Sequence, residues 1–419
     1  MLTIESLSAV EVLDSRGRPT LTVSIELRGG VAARAGVPSG ASTGTREAHE
    51  LRDEDSTRYG GQGVRRAVSH VSGEINARLK GKTFAGLAEL DAALIEVDGT
   101  PNKTRLGANA IVGVSMAAAL AVAAQERRPL WRSLIPAGVQ PRLPVPHFNV
   151  INGGMHAPNG LDFQEFMIAP LGAPSVEDAV RAGAEIYATI RRTLSAHGLS
   201  TGLGDEGGFA PELTTPEEVL DILVTSISDA GYQPGRNGVA IALDPAASQF
   251  YHDGVYRVAG ATLSSDEMID RYVRIASAFP VWSIEDGLAE SDWAGWERLA
   301  ERLAGKVQIM GDDILVTNPA IISEAILRKV GNAALIKVNQ IGTVTEALEA
   351  MRICREAGWA QMISHRSGET TDSFIADLAV ASGCGQIKSG APARGERVSK
   401  YNRLIEIEAM AQLPYGLAV

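Results

Sequence analysis

Six apolar runs in the second half of the chain each end in an ionisable residue. In chain order, at intervals of 23 to 41 residues, these are Asp244, Glu285, Asp312, Lys337, His365 and Lys388. Such an interval accommodates a buried strand, a helix and two short loops. A charge at the end of a buried strand is costly unless it meets a partner or a ligand. The series therefore predicts one shared site at the carboxyl end of a parallel barrel.

The first three residues of this series, Asp244, Glu285 and Asp312, offer only oxygen ligands. Hard oxygen ligands suit a divalent cation such as Mg²⁺. Each acid alone could be an ordinary surface residue, but three at successive strand ends favour metal ligation. Asp286 directly follows Glu285, and Asp313 directly follows Asp312. Because side chains alternate along a strand, we expect the second acid to orient a neighbouring loop.

Two lysines, Lys337 and Lys388, end later strands of the same series. Lys337 has two interpretations: a structural ion pair, or a general base whose pKa is lowered by burial and neighbouring cations. Two ammonium groups at one cavity lower each other's pKa, which favours the base. The adjoining segment 364–368 carries His365, Arg366 and Ser367, a composition suited to phosphate binding. An ordinary polar turn is the alternative there.

An acid pair is predicted from Glu165, in an early barrel strand, and Glu206, in a glycine-flanked loop. If the two carboxyls meet, one keeps its proton and can protonate a leaving group. The sequence alone leaves open whether they meet. His156 lies in another glycine-containing loop and either closes over substrate or is simply exposed. Together these residues fit removal of a proton next to a carboxylate by a lysine, followed by expulsion of hydroxide with help from an acid.

Composition limits the class of protein. The chain has 419 residues, a length suited to a barrel plus a smaller domain, and is 45% hydrophobic with a net charge of −11. The negative charge argues against a nucleic-acid surface. With only two cysteines and no basic, apolar leader at its start, the chain is expected in the cytoplasm. The apolar run 108–124 is expected to be a buried helix and not a membrane span.

The chain divides near residue 140, where prolines follow Gly138. Residues 1–138 are predicted to form an α+β domain with strands over 3–35 and helices over 62–128. Residues 37–45 are small and polar, and are predicted to form either a surface loop or a mobile lid that approaches a ligand. Residues 139–419 alternate strands and helices, which predicts an α/β catalytic domain with a parallel sheet.

Spaced motifs along nearly the whole chain resemble the enolase family. They include Asp14-Ser-Arg-Gly17, Val37-Pro-Ser-Gly-Ala-Ser-Thr-Gly44, Gly204-Asp-Glu-Gly-Gly-Phe-Ala-Pro211, Ser283-Ile-Glu-Asp-Gly287, Lys337-Val-Asn-Gln-Ile-Gly342, Ser364-His-Arg-Ser-Gly-Glu369 and Lys400-Tyr-Asn402. The resemblance implies an α/β, TIM-like (β/α)8 barrel that begins with two antiparallel strands, capped by the N-terminal α+β domain. It also implies reversible dehydration of 2-phospho-D-glycerate to phosphoenolpyruvate, two Mg²⁺ ions per site, and a homodimer or higher oligomer.

The resemblance also implies a role for each site residue. Lys337 would be the general base and Glu206 the general acid, with Glu165 as its partner. A tightly bound Mg²⁺ would be held by Asp244, Glu285 and Asp312, and a second Mg²⁺ by Ser42 on the lid. The implied substrate contacts are Lys388, for the carboxylate, and His156, Glu165, His365, Arg366 and Ser367.

Departures around His156, where Met155 and Pro158 replace smaller or polar residues, keep a second hypothesis open. A paralogue of specialised metabolism would dehydrate a phosphonate or another analogue of 2-phosphoglycerate. A third hypothesis, from a different class, is a catalytically silent binding protein. The presence of every expected ionisable group argues against silence.

Overall fold

The N-terminal part of the chain builds a four-stranded antiparallel sheet. The computed structural model describes residues 1–417, so positions 418–419 of the predicted barrel domain lie outside the described residues. The strand order is β3-β2-β1-β4. The strands are β1 (Leu2–Leu13), β2 (Pro19–Leu27), β3 (Ala32–Gly36) and β4 (Thr83–Phe84). The strands predicted over 3–35 are confirmed, because alternating apolar residues of β2 lie in the core.

Five helices cover this sheet. They are α1 (Arg65–His70), α2 (Asn76–Leu79), α3 (Leu87–Asp98), α4 (Ala108–Gln125) and α5 (Leu130–Ser133), with a π turn at Val71–Ile75. Helix α4 is long and apolar enough to span a membrane, yet 78% of it is buried inside the protein, where it packs on β2 and β3. Gly113 permits this approach, since a Cβ there would lie 2.5 Å from Val23 Cγ2. The expectation of a buried core helix is confirmed.

The larger part of the chain is a closed eight-stranded barrel with the order β11-β12-β13-β14-β15-β5-β6-β7. Strand β6 runs antiparallel to both of its neighbours, and the other neighbouring pairs are parallel. This confirms the expected antiparallel start. The barrel strands are β5 (Val145–Asn152), β6 (Glu165–Ala169), β7 (Ala240–Asp244), β11 (Val281–Glu285), β12 (Gln308–Gly311), β13 (Ala333–Ile336), β14 (Ala360–Ser364) and β15 (Gln386–Lys388).

Helices surround the barrel. Two of them, α6 and α7, separate β6 from β7, and regular strand–helix units follow. The start of α7 is fixed by a capping box between Thr215 and Glu218. The helices are α6 (Val176–Ala196), α7 (Pro216–Asp229), α8 (Ser265–Ala278), α9 (Trp293–Leu303), α10 (Pro319–Arg328), α11 (Val338–Ile341), α12 (Val344–Glu356), α13 (Phe374–Ser382) and α14 (Gly395–Met410), and a small sheet comprises β8 (Tyr251–His252), β9 (Val255–Val258) and β10 (Ala261–Leu263).

The predicted strand ends converge as expected. Asp244, Glu285 and Lys388 are the last residues of β7, β11 and β15, and Asp312, Lys337 and His365 each follow a strand by one position. Glu165 reaches the same end by another route, because it is the first residue of the antiparallel β6 and pairs in register with Asp244. All seven side chains therefore meet at one mouth of the barrel.

Candidate active site

Lys388 lies among three carboxylates at the barrel mouth. Its Nζ atom is 2.7 Å from Glu285 Oε1 and 3.2 Å from both Asp244 Oδ2 and Glu165 Oε2. Burial alone would lower the pKa of Lys388, but Glu165, Glu285 and Asp244 raise it well above its usual value. Lys388 is therefore a fixed positive charge at the centre of an acidic group.

Lys337 forms an ion pair with Asp312, with Nζ 2.5 Å from Oδ2. Burial disfavours the ammonium, yet Asp312 outweighs burial and the cations Arg366 and Lys388, and the pKa of Lys337 is raised. The prediction that the pKa of Lys337 is lowered is wrong for this arrangement. Each lysine ammonium contacts carboxylates directly, and the sequence could not show these contacts. Each interpretation of Lys337 is therefore supported in part, because the ion pair with Asp312 is present and the lysine also lines the cavity.

Asp286, the second member of the first acid pair, orients the neighbouring loop. Asp286 accepts the backbone N–H groups of Asp312 and Asp313 at 2.8 and 2.9 Å. Gln340, which the sequence analysis missed, donates to the other oxygen of Asp312 at 2.9 Å. The backbone of Asp312 is held by Asp286, and its two carboxylate oxygens are held by Lys337 and Gln340. The orientation of this carboxylate is therefore fixed.

The donor set fits a divalent cation. Burial raises the pKa of Glu285 well above its usual value, and Asp244 raises it further. Glu285 Oε2 is buried without a hydrogen-bond partner. A cation would relieve both conditions, and every nearby donor is a hard oxygen. Among residues 1–417, two groups of three have ligand atoms within 4.8 Å of one another: Asp286 with Asp312 and Asp313, and His156 with Glu165 and Glu206. The predicted triad is more widely spaced, and lysine ammonium groups lie against its three acids.

Glu165 and Glu206 meet, with ligand oxygens within 4.8 Å of each other. Burial and the Glu206 charge raise the pKa of Glu165 well above its usual value. Burial also disfavours ionised Glu206, but His365, His156 and Arg397 bring its pKa well below its usual value. These opposite pKa directions favour one shared proton for the pair, on the Glu165 side.

His156 and His365 border this acid pair. His156 Nδ1 lies 3.7 Å from one oxygen of each glutamate, and the residue is buried, so the exposed alternative for His156 is wrong. Burial lowers the pKa of His365 to about 4, so its imidazole is neutral near pH 7. The permanent support of the Glu206 carboxylate is then the Arg397 charge and the Asn149 amide, which donates to Oε2 at 2.9 Å.

The predicted phosphate segment is tied to the N-terminal part of the chain. Arg366 forms two hydrogen bonds with Glu47, at 3.0 and 3.1 Å, and donates to the Ser42 carbonyl at 3.1 Å. Ser367 Oγ accepts the backbone N–H of Ala41 at 2.7 Å. The 37–45 segment thus lies against the barrel loop that carries Arg366 and Ser367, at the mouth of the barrel. Sequence reasoning missed Glu47, although its position just after the lid was a usable signal.

One cavity joins these groups. A larger cavity is also bordered by the lid, but it lacks the buried lysines and the acid pair. We therefore assign the chemistry to the smaller cavity. Its lining contains Ser42, His156, Glu165, Glu206, Asp244, Lys337, His365, Arg366, Ser367 and Lys388.

This arrangement defines a class: a barrel enzyme with an α+β N-terminal domain and with buried lysines, histidines and carboxylates around one cavity at the barrel mouth. Residues 4–134 match the family model "Enolase, N-terminal domain", and residues 140–413 match "Enolase, C-terminal TIM barrel domain". The chain is 53% identical to the enolase of Rubrobacter xylanophilus over 97% of its own length and 95% of that protein. It is also 53% identical to the enolase of Acidothermus cellulolyticus, over 97% and 94%.

The chain belongs to the enolase family. It is an enzyme of the lyase class, a hydro-lyase, and the reaction of its family is the dehydration of 2-phospho-D-glycerate to phosphoenolpyruvate in glycolysis. The catalytically silent alternative does not account for this membership together with an intact set of ionisable groups.

Proposed function

We propose that this chain dehydrates 2-phospho-D-glycerate with Lys337 as the general base and Glu206 as the general acid. The observation that carries the proposal is the shared cavity, which both side chains line from different strands and loops. Lys337 reaches it from the end of β13, and Glu206 from the loop before α7. A substrate between them would lose its α-proton to one group and its hydroxide with help from the other.

Lys337 acts as a base only when its ammonium is no longer held by Asp312. Asp244, Glu285 and Asp312 would hold a Mg²⁺ ion, and Ser42 on the lid would contribute to a second. Bound Mg²⁺ supplies positive charge to the substrate carboxylate oxygens, where charge develops as the α-proton leaves. Commitment of Asp312 to that site leaves the Lys337 amine with cationic neighbours, Arg366 and Lys388, which lower its pKa.

The acid side begins with its proton on Glu165. We propose that Glu165 returns this proton to Glu206 as hydroxide departs, so that the pair acts as one acid. His156 closes over the substrate from the loop that precedes β6. Lys388 binds the substrate carboxylate, and His365, Arg366 and Ser367 bind its phosphate end, where the guanidinium fork and hydroxyl match phosphate oxygens.

We also propose the finer features of the molecule. The capping domain spans residues 1–138 with its lid at 37–45, and the catalytic domain spans 139–419. The enzyme works as a cytoplasmic homodimer or higher oligomer, with small phosphorylated carboxylates as its ligands and without nucleic-acid or membrane partners.

The direct test is an absorbance assay for enolpyruvate formation from 2-phosphoglycerate, with and without Mg²⁺. A parallel assay with a phosphonate analogue tests the specialised-metabolism hypothesis, which the residues around His156 motivate. Turnover of 2-phosphoglycerate that depends on Mg²⁺ and exceeds that of the analogue supports the proposal. If the enzyme prefers the analogue, the proposed substrate changes, but the proposed elimination reaction stays the same.

A further inference from the structure

Arg397 occupies the first turn of α14 and is completely buried. A buried guanidinium is stable only where acceptors surround it. Its Nη1 lies 2.6 Å from the Arg366 carbonyl and 2.6 Å from His365 Nδ1, and its Nη2 donates to the Ser367 carbonyl at 2.6 Å. One side chain thus holds three consecutive residues of the phosphate segment.

The same guanidinium also contacts the loop that carries Glu206. Nη2 lies 3.3 Å from the Asp205 carbonyl and 3.3 Å from Ser15 Oγ. Arg394, the N-cap residue of α14, donates to the Gly204 and Asp205 carbonyls at 3.0 and 2.9 Å. The beginning of α14 therefore fixes the spacing between the acid loop and the phosphate segment.

The contact with His365 has a chemical consequence. Arginine has donors and no acceptor, and it stays charged in proteins. His365 Nδ1 must therefore present its lone pair to Arg397, and the proton of the neutral imidazole must reside on Nε2. His365 Nε2 lies 3.2 Å from Glu206 Oε2, beside the ionised member of the acid pair but not aligned with it as a hydrogen bond.

We propose that Arg397 is a positioning residue that holds His365 as the neutral, Nε2-protonated tautomer facing Glu206. This inference rests on the proposed function, because it assigns Arg397 to the acid side of the same reaction. Arg397 does not line the cavity and acts through His365 and the two loops. A lysine at this position could not reach all of these acceptors with a planar fork.

The tautomer can be measured without any variant. We would label histidine with ¹⁵N, assign His365 by its loss in His365→Gln, and record two-bond ¹H–¹⁵N correlations of the wild-type protein at pH 7. The expected pattern has a protonated Nε2 and an unprotonated Nδ1. A proton on Nδ1, or on both nitrogens, would overturn the inference whether or not the enzyme turns over 2-phosphoglycerate. Absence of that turnover in the wild type would instead overturn the proposed function.

The activity test uses Arg397→Lys, with Arg403→Lys as the control. Arg403 lies on the same helix but pairs with Asp377, away from the cavity. We expect kcat to fall about 10- to 100-fold in Arg397→Lys, the usual range for residues that orient a reacting group, and to stay near the wild-type value in the control. In a His365→Gln background the same lysine substitution should cost several-fold less, because its effect passes through His365.

Chemical rescue separates positioning from folding. Arg397→Ala should recover part of its turnover in millimolar guanidinium, and methylammonium at the same concentration should recover less. Equal losses from Arg397→Lys in the wild-type and His365→Gln backgrounds, with no rescue by guanidinium, would show that Arg397 is structural only. If the alanine variant does not fold, the wild-type tautomer measurement still decides the inference.

Discussion

The ammonium group of Lys388 lies 2.7 Å from Glu285 Oε1, with both side chains buried at the mouth of the barrel. The attraction balances part of the acidic charge of the mouth, but one lysine cannot balance both Glu285 and Asp244, which lie within 3.2 Å of its ammonium. Glu285 keeps a raised pKa and an oxygen without a hydrogen-bond partner. The site therefore has unsatisfied capacity for positive charge, and this capacity underlies the first prediction.

Activity should require a divalent cation. Asp312→Asn should weaken Mg²⁺ binding and remove nearly all turnover, because it takes one charge from an oxygen-only ligand set. Titration calorimetry with Mg²⁺ and the enolpyruvate assay measure the two effects. Asp266→Asn is a matched control, since Asp266 pairs with Arg298 on the surface. Full activity in excess chelator would refute the metal assignment.

The two halves of the reaction should be separable by isotope exchange. Lys337→Ala should abolish exchange of the substrate α-proton with solvent deuterium, because it removes the base. Glu206→Gln should block product formation but retain some exchange, since the carbanion can still form and be reprotonated. Each variant should lose about 10²- to 10⁴-fold or more in turnover. Loss of exchange in Glu206→Gln with retention in Lys337→Ala would mean that acid and base are reversed.

The lid should couple to the second metal ion. Ser42 lines the cavity through a loop that is held by Arg366 and Ser367. Ser42→Ala should therefore weaken the response of activity to the second equivalent of Mg²⁺ more than to the first. The control is Thr43→Ala, because Thr43 is the exposed neighbour on the same loop. Equal effects on both equivalents would argue against a role for Ser42 in the second site.

His147 should make the protein sensitive to acid. It is fully buried beside Trp282, and burial lowers its pKa to about 4 from an ordinary value of 6.5. Between pH 6.5 and pH 4, His147 is protonated in the unfolded chain but not in the folded protein. The contribution of His147 to the free energy of unfolding is therefore complete above pH 6.5 and is lost as the pH falls towards 4. The loss amounts to about 3 kcal/mol for this residue.

His147→Met should flatten that part of the pH profile. Denaturant unfolding at pH 7.5, 6 and 5 would give the free energy of unfolding at each pH. The exposed His252 provides the control variant, His252→Met, which should keep the wild-type slope. An unchanged slope in His147→Met would show that other groups govern acid sensitivity.

The sequence predicted the barrel residues well because their signal is local. An acid such as Asp244 directly after an apolar run predicts both the strand and the position where the strand ends. The place of Glu165 is harder to predict from sequence, because its strand is antiparallel to its neighbours and Glu165 begins that strand instead of ending it. In each of these cases a short stretch of chain contains the necessary information.

The missed residues depend on contacts that no local pattern contains. Arg397 reads as an ordinary charge near a helix start, and only the fold brings it to His365, 32 residues away. The pKa direction of Lys337 was missed for the same reason, because it depends on which carboxylate lies next to the ammonium. Distances between side chains on different elements follow from packing, which periodicity does not encode.

The pairing of Glu47 with Arg366 has a consequence for the synthesis of the protein. The partners are 319 residues apart in the chain. At about 5–20 residues per second, a ribosome needs roughly 15 to 60 s to travel from one codon to the other. Throughout that interval the nascent chain contains Glu47 but not Arg366, its partner in the folded protein. The contact that ties the lid segment to the barrel therefore forms only after most of the chain has been synthesised.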